Sequence, residues 1–159
     1  MKLLWDSLKI SIAGAKLTHL VQKDKIWDHG SMIEQVKTTF FKLKRIKSNG
    51  NVEDLNKYLT ENCYKKIKQE LGELEKNGKT LVVKNILIKE ISIIDVKVAR
   101  NQNLDCFTAM IKAIGIEFIT DKGGAAGLMN YSDKVRNFSE QWSFVRQGGW
   151  WLLDDYMKK

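Results

Sequence analysis

Proline is absent from this 159-residue chain, and cysteine and histidine occur only twice each. Cys63 and Cys106 stand far apart, one in a helical pattern and the other in a strand pattern, with no CxxC spacing. They are expected to be structural thiols rather than a redox or metal-binding pair. His19 and His29 lie ten residues apart, which does not bring two ligands onto one helical face as i, i+4 spacing would. No metal, no cofactor and no catalytic group are therefore expected. Long apolar runs are missing as well. Lys or Asp interrupts each one before the roughly 18 residues that a spanning helix needs. Asp6 and Lys9 break the apolar segments behind Met1, which speaks against a secretory leader, and the first arginine is Arg45, which speaks against an Arg-rich transit peptide. The expected location is intracellular.

What the chain does have is lysine. Lys and Arg number 27 against 19 acids, a formal net charge of +8. The excess is concentrated in residues 1–80, with 16 basic against 10 acidic residues, while residues 81–159 carry 11 against 9. Such a field favours an anionic partner, whether lipid head group, nucleic acid or acidic protein. The length and the 43% hydrophobic content suit one domain with a substantial core.

Residues 3–23 have helical periodicity, with Leu4, Leu8, Ile12 and Ala15 on one stripe and Leu3, Ile10 and Leu17 on another. Lys2, Lys9, Lys16 and Lys23 recur every seven residues and stay nearly in line along such a helix. The pattern predicts an amphipathic basic helix, and residues 1–30 are set apart as an extension preceding a domain at 31–159. Ser31-Met-Ile-Glu34 has capping-box form and predicts a second helix carrying Ile33, Val36, Phe40 and Leu43 as far as Ser48-Asn-Gly50. A short helix follows around Leu55, Tyr58 and Leu59. Thr60 is the expected N-cap of a third helix that ends at Asn77-Gly78.

From Thr80 the period changes to two. Strands are expected at 82–99, 103–118, 131–147 and 149–157, with a bulge near Ile93-Ile94 and a hairpin turn at Gly148-Gly149. Gly123, Gly124 and Gly127 mark a loop, without the spacing of a phosphate loop. Helices followed by a meander make an α+β domain, with helices packed on a curved, mainly antiparallel four-stranded sheet that is cone-like with an internal cavity.

The segment Asn137-Phe-Ser-Glu140-Gln-Trp142-Ser-Phe144-Val-Arg146, followed after a short turn by Trp150-Trp-Leu-Leu-Asp154, resembles the closing hairpin of the inner-membrane translocase subunit 44-like domains. Their pattern there is roughly F-x-E-x-W-[ST]-F-x-R and then W-x-L. Phe40 and its helix, Asp54 to Thr60, and Cys106 to Ile111 agree in order, so the resemblance spans about residues 31–157. It implies the cone-shaped fold of nuclear transport factor two, and attachment and binding at a membrane rather than a reaction. The expected place is then the cytoplasmic face of a bacterial inner membrane, or the matrix side of the mitochondrial one.

On an extended strand Phe138, Glu140, Trp142, Phe144 and Arg146 point to one face. With Phe40 and Phe107 the first four are the candidates for lining the cavity. Glu140 needs a partner from another element, because Arg146 is too far along the same strand to serve. Lys2, Lys9, Lys16 and Lys23, with Trp5, are the candidate membrane contacts; Trp5 and Trp27, near either end, suit interfacial anchoring and packing equally. The leading reading is a non-enzymatic, peripheral scaffold or binding domain that contacts anionic lipid, a protein partner or both. An apolar ligand in the cavity and a homodimer are compatible with it. Two alternatives stand beside it: a small-molecule-binding or enzymatic cone domain, and ribosome or RNA association. The scattered Arg45, Arg100, Arg136 and Arg146 disfavour nucleic acid.

Overall fold

The computed structural model describes residues 2–49, 51–121 and 134–158. Three helices, α1 (Lys2–Leu20), α2 (His29–Asn49) and α3 (Glu61–Lys76), precede four strands, β1 (Lys79–Lys97), β2 (Cys106–Asp121), β3 (Arg136–Gln147) and β4 (Trp150–Lys158). Short 3-10 turns at Lys25–Trp27, Val52–Leu55 and Gln102–Leu104 connect them. The helices pack on one four-stranded antiparallel sheet of order β1-β2-β3-β4, the α+β arrangement expected.

Local chemistry sets the boundaries. The start of α2 corrects the expected capping box at Ser31. Asp28 is the cap: its carboxylate accepts from Ser31 N at 2.9 Å and its carbonyl from Met32 N at 3.0 Å. An anionic acceptor at a helix N-terminus outcompetes a hydroxyl placed three residues later. The Asp28 pKa is accordingly lowered, mainly by the Ser31 backbone hydrogen bond. Thr60 caps α3 as expected, accepting from Cys63 N, and Gly78 follows Asn77 at a φ of +67°. The Gly148-Gly149 turn joins paired Gln147 and Trp150. The expected loop glycines 123, 124 and 127 lie outside the described residues, as does the expected start of the third strand at 131.

β1 shifts register between Ile93 and Asp95, where a bulge was expected, and twice more, between Lys84 and Leu87 and between Ile88 and Glu90. At the first of these Asn85 adopts a φ of +53° and the chain presses on Gly115 of β2. A Cβ there would lie 2.9 Å from Ile86 Cα, so the position needs glycine.

The core forms where α2 crosses the sheet. Met32, Val36, Phe40 and Leu43 of α2 face Phe107, Ile111, Trp142, Phe144, Trp151 and Leu153, all essentially inaccessible. Alanines make room for the rings: Ala109 pairs with Trp142 and Ala113 with Phe138. Phe107 stacks on Phe144 at 4.9 Å, meets Trp151 edge-on at 4.9 Å, and Phe40 lies 5.3 Å from Trp142. At about 25 cal/mol per Å² of apolar surface, burying these large rings contributes several kcal/mol to the stability of the fold. Residues 13–30 join the same core through Ala13, Leu17 and Trp27.

Candidate functional site

The strand face that carries the resemblance is fastened at two points. Toward the start of β3, Glu140 is buried and meets Lys44, whose Nζ lies 3.3 Å from Oε1 and 3.0 Å from Oε2. The first oxygen takes the hydrogen bond, while the second is held by charge alone. The same ammonium donates to Glu117 of β2 at 3.1 Å. Burial pushes the Glu117 pKa up, but Lys44 and Lys158 outweigh it, and the net shift is downward. At the other end of β3, Arg146 reaches Asp24 at 2.7 Å and Asp105 at 3.2 Å. Trp151 supports that end: its indole donates to the Ile26 carbonyl at 3.2 Å, and Trp27 stacks on it edge-on at 5.0 Å. The first fastening ties α2 to the sheet, and the second ties the α1–α2 connection to it.

Sequence reasoning required a partner for Glu140 but did not find Lys44. The signal was a lysine inside the apolar stripe of α2, four residues after Phe40 and one after Leu43. Asp24 and Asp105, in short connecting segments, carried no such signal.

Of the candidate cavity-lining residues, Phe40, Phe107, Trp142 and Phe144 are 0–1% exposed and Glu140 3%, while Phe138 is half-buried. They pack on one another or pair with Lys44. None of them lines the clefts found in the surface. The two larger clefts flank the C-terminal half of α3, with volumes of about 770 and 510 Å³, and share Lys47, Leu74 and Leu81. A smaller one of about 410 Å³ lies near Thr60 and Leu152. The two larger clefts lie where Leu71 and Leu74 of α3 are only half-buried.

The candidate membrane contacts lie on a helix with an unusual division of its surface. α1 buries Ala13 and Leu17 against the domain. The opposite face leaves Leu4 75%, Leu8 49% and Ile12 50% exposed, with Leu3 at 74% and Trp5 at 59% beside them. Residues four apart advance by only about 40° around a helix, so Leu4, Leu8 and Ile12 form one oblique stripe. Lys2, Lys9 and Lys16 border it, Lys2 and Lys16 exposed and Lys9 half-buried with its Nζ 5.9 Å from the Trp5 ring, while Lys23, expected on the same line, is exposed in a turn beyond the end of α1. Trp27, open in sequence to either anchoring or packing, is 2% exposed against Trp151, and its ring completes the aromatic core. No helix among the described residues is long and apolar enough to cross a membrane, and no group of three or more His, Cys, Asp or Glu side chains there is placed to hold a metal ion.

Three helices packed on a four-stranded antiparallel meander define a small α+β fold whose closing hairpin is spent on internal fastening. The family model described as Tim44-like domain matches residues 13–156, and the chain belongs to that family. Its members are membrane-associated protein-interaction domains, generally scaffolds rather than catalysts. No curated protein sequence matches the chain. Among solved structures, the intermembrane space region of the chloroplast protein ARC6 is similar in fold, with a TM-score of 0.51 at 14% identity over 79% of this chain and 94% of that one. A de novo designed β-sheet protein solved by NMR aligns at 16% identity and a TM-score of 0.40, covering 82% of this chain and 88% of that one.

Proposed function

We propose that this domain is a non-enzymatic attachment module that docks on an anionic membrane surface through α1. The observation that carries the reading is the exposed stripe of Leu4, Leu8 and Ile12, flanked by Trp5 and bordered by Lys2, Lys9 and Lys16. A helix lying in an interface inserts its apolar face among the acyl chains and keeps lysines at the phosphates. Each lysine near an anionic surface contributes about 1 kcal/mol, and each large apolar side chain that leaves water contributes roughly 1.5–3 kcal/mol. Charge alone would give weak binding; stripe and charge together give a stable contact. The rest of the domain then stands above the surface as a platform for a protein partner.

Sedimentation with liposomes of neutral and of anionic lipid, across a salt series, tests this. Binding to anionic liposomes that weakens with salt is expected. A variant with Lys2, Lys16 and Lys23 replaced by Ser should lose about 3 kcal/mol, a hundredfold or more in affinity. Leu4→Ser with Leu8→Ser should weaken binding in both low and high salt. Equal sedimentation of all three proteins, or none by the unmodified chain, would remove α1 as a membrane contact.

A further inference from the structure

The charge network between α2, α3 and β4 contains one amine that the fastening does not use. Lys44 occupies itself with Glu117 and Glu140, and Lys66 with Asp155 and the Tyr156 carbonyl. Lys47, one helical turn beyond Lys44, has no hydrogen bond to its Nζ among the described residues. Its nearest carboxylate oxygen is Glu70 Oε2, at 3.6 Å, and that oxygen already accepts the Tyr156 hydroxyl at 2.7 Å. The Lys47 side chain is 13% exposed, its Nζ lies 4.5 Å from the Tyr156 ring centre, and it forms part of the wall of both clefts beside α3.

We propose that Lys47 is a carbonyl-capturing amine, forming an imine with a small aldehyde or ketone of apolar body that enters the cleft beneath α3. The cleft of about 510 Å³ has the room, and Leu74, Leu81, Ile119 and Met157 give it apolar walls. A desolvated amine beside an acid-base group is the arrangement that makes lysine nucleophilic. Burial lowers the Lys47 pKa, and Lys44 reinforces that effect; Glu70, Glu117 and Glu140 oppose it without prevailing. The same cleft is also lined by the polar groups of Lys66, Glu70 and Glu73 on α3, Glu117 on β2, and Tyr156 and Lys158 on β4.

In the step itself, the nitrogen lone pair attacks the carbonyl carbon and the oxygen takes a proton, giving a carbinolamine. The oxygen then leaves as water with a second proton, and nitrogen gives up its two hydrogens as the C=N bond forms. Glu70 is placed to take the proton that frees the amine and to return one to the departing hydroxyl.

The test uses the whole chain with benzaldehyde and sodium cyanoborohydride near neutral pH, followed by digestion and mass spectrometry. The reductant delivers hydride to the imine carbon, and the nitrogen is locked as a secondary amine. The expected result is an adduct on Lys47 ahead of exposed lysines such as Lys16, Lys57 and Lys65. Lys47→Arg should lose that adduct with unchanged circular dichroism and unchanged labelling elsewhere, while Lys66→Arg should retain it. Glu70→Gln should slow labelling at Lys47 alone. Labelling spread over the exposed lysines with Lys47 no higher, or total labelling unchanged in Lys47→Arg, overturns the proposal. An unchanged Lys47 rate in Glu70→Gln overturns the proton-carrying role of Glu70.

Discussion

Replacing Lys44 by Met should destabilise the domain strongly at neutral pH and much less in acid. The side chains of Lys44, Glu117 and Glu140 are 5%, 8% and 4% exposed, so removing the ammonium strands two carboxylates out of water. Breaking such a buried pair costs about 3–5 kcal/mol. Lys158 lies 3.5 Å from Glu117 but is itself 72% exposed, so it holds part of that charge and the lower end of the range is expected. For a chain of this size each kcal/mol moves Tm by about 2–4 °C, giving a fall of roughly 6–12 °C. The pH dependence has a definite sign. In the unmodified protein the folded-state pKa of Glu117 is lowered, so its contribution is present above its unfolded pKa and is lost as pH falls through the folded one. In Lys44→Met the stranded carboxylates favour a proton in the folded state, so the variant recovers stability on acidification. The gap between the two proteins should therefore narrow from pH 7 toward about pH 4, near the ordinary glutamate range. Thermal and urea unfolding followed by circular dichroism at both pH values measure it. A loss below about 1 kcal/mol, or a gap that does not change with pH, would refute the account of Lys44 as the main counter-charge of Glu117 and Glu140. Replacing all three groups together, with Met for Lys44 and Gln for both acids, should restore most of the loss.

Arg146→Met should cost about 2–3 kcal/mol, because Asp105, at 2% exposure, loses its counter-charge while Asp24, at 32%, regains water; urea unfolding measures it, and a neutral result would mean that the α1–α2 connection is held by Trp151 alone. Iodoacetamide at about pH 8 should alkylate Cys106 before Cys63, since burial pushes the Cys63 thiol up to about 12; equal rates by mass spectrometry would count against the buried position of Cys63.

Order and kind of elements were readable because they rest on local signals. The Thr60 cap, the Asn77-Gly78 stop, the Gly148-Gly149 turn and the change from period 3.6 to period 2 at Thr80 each act over a few residues. The start of α2 was misplaced because two acceptors, Asp28 and Ser31, competed within one turn, and only the backbone geometry decides between them. The bulge between Lys84 and Leu87 was hidden for a related reason: it lies against Gly115 of the partner strand, a contact between strands that β1 alone does not register. The buried face of the closing hairpin was legible from alternation, but which residues neutralise it was not. Lys44 and Asp24 lie 96 and 122 residues from their partners on β3, a separation that periodicity does not register. The two tryptophans of the basic helix region looked alike in sequence, and only the core decides that Trp27 is structural and Trp5 is exposed.

The placement of these charges bears on where binding resides. Every distinctive residue of the F-x-E-x-W-S-F-x-R segment has an internal employment. Trp142 and Phe144 fill the core, Glu140 secures α2 through Lys44, and Arg146 secures the α1–α2 connection through Asp24 and Asp105. A motif of this kind specifies a scaffold, and partner choice has to come from surfaces outside it. The part of α1 that exposes Leu3, Leu4, Trp5, Leu8 and Ile12 lies wholly before residue 13, where the family match begins. Removing these side chains would take away exposed apolar surface while leaving Ala13, Leu17 and the Arg146 fastening in place. On the proposed reading, affinity for a membrane surface and stability of the fold are separable in this domain. Substitutions at Leu4 and Leu8 should change liposome binding at constant Tm, and substitutions at Lys44 and Arg146 should lower Tm, with binding unaffected wherever the protein remains folded.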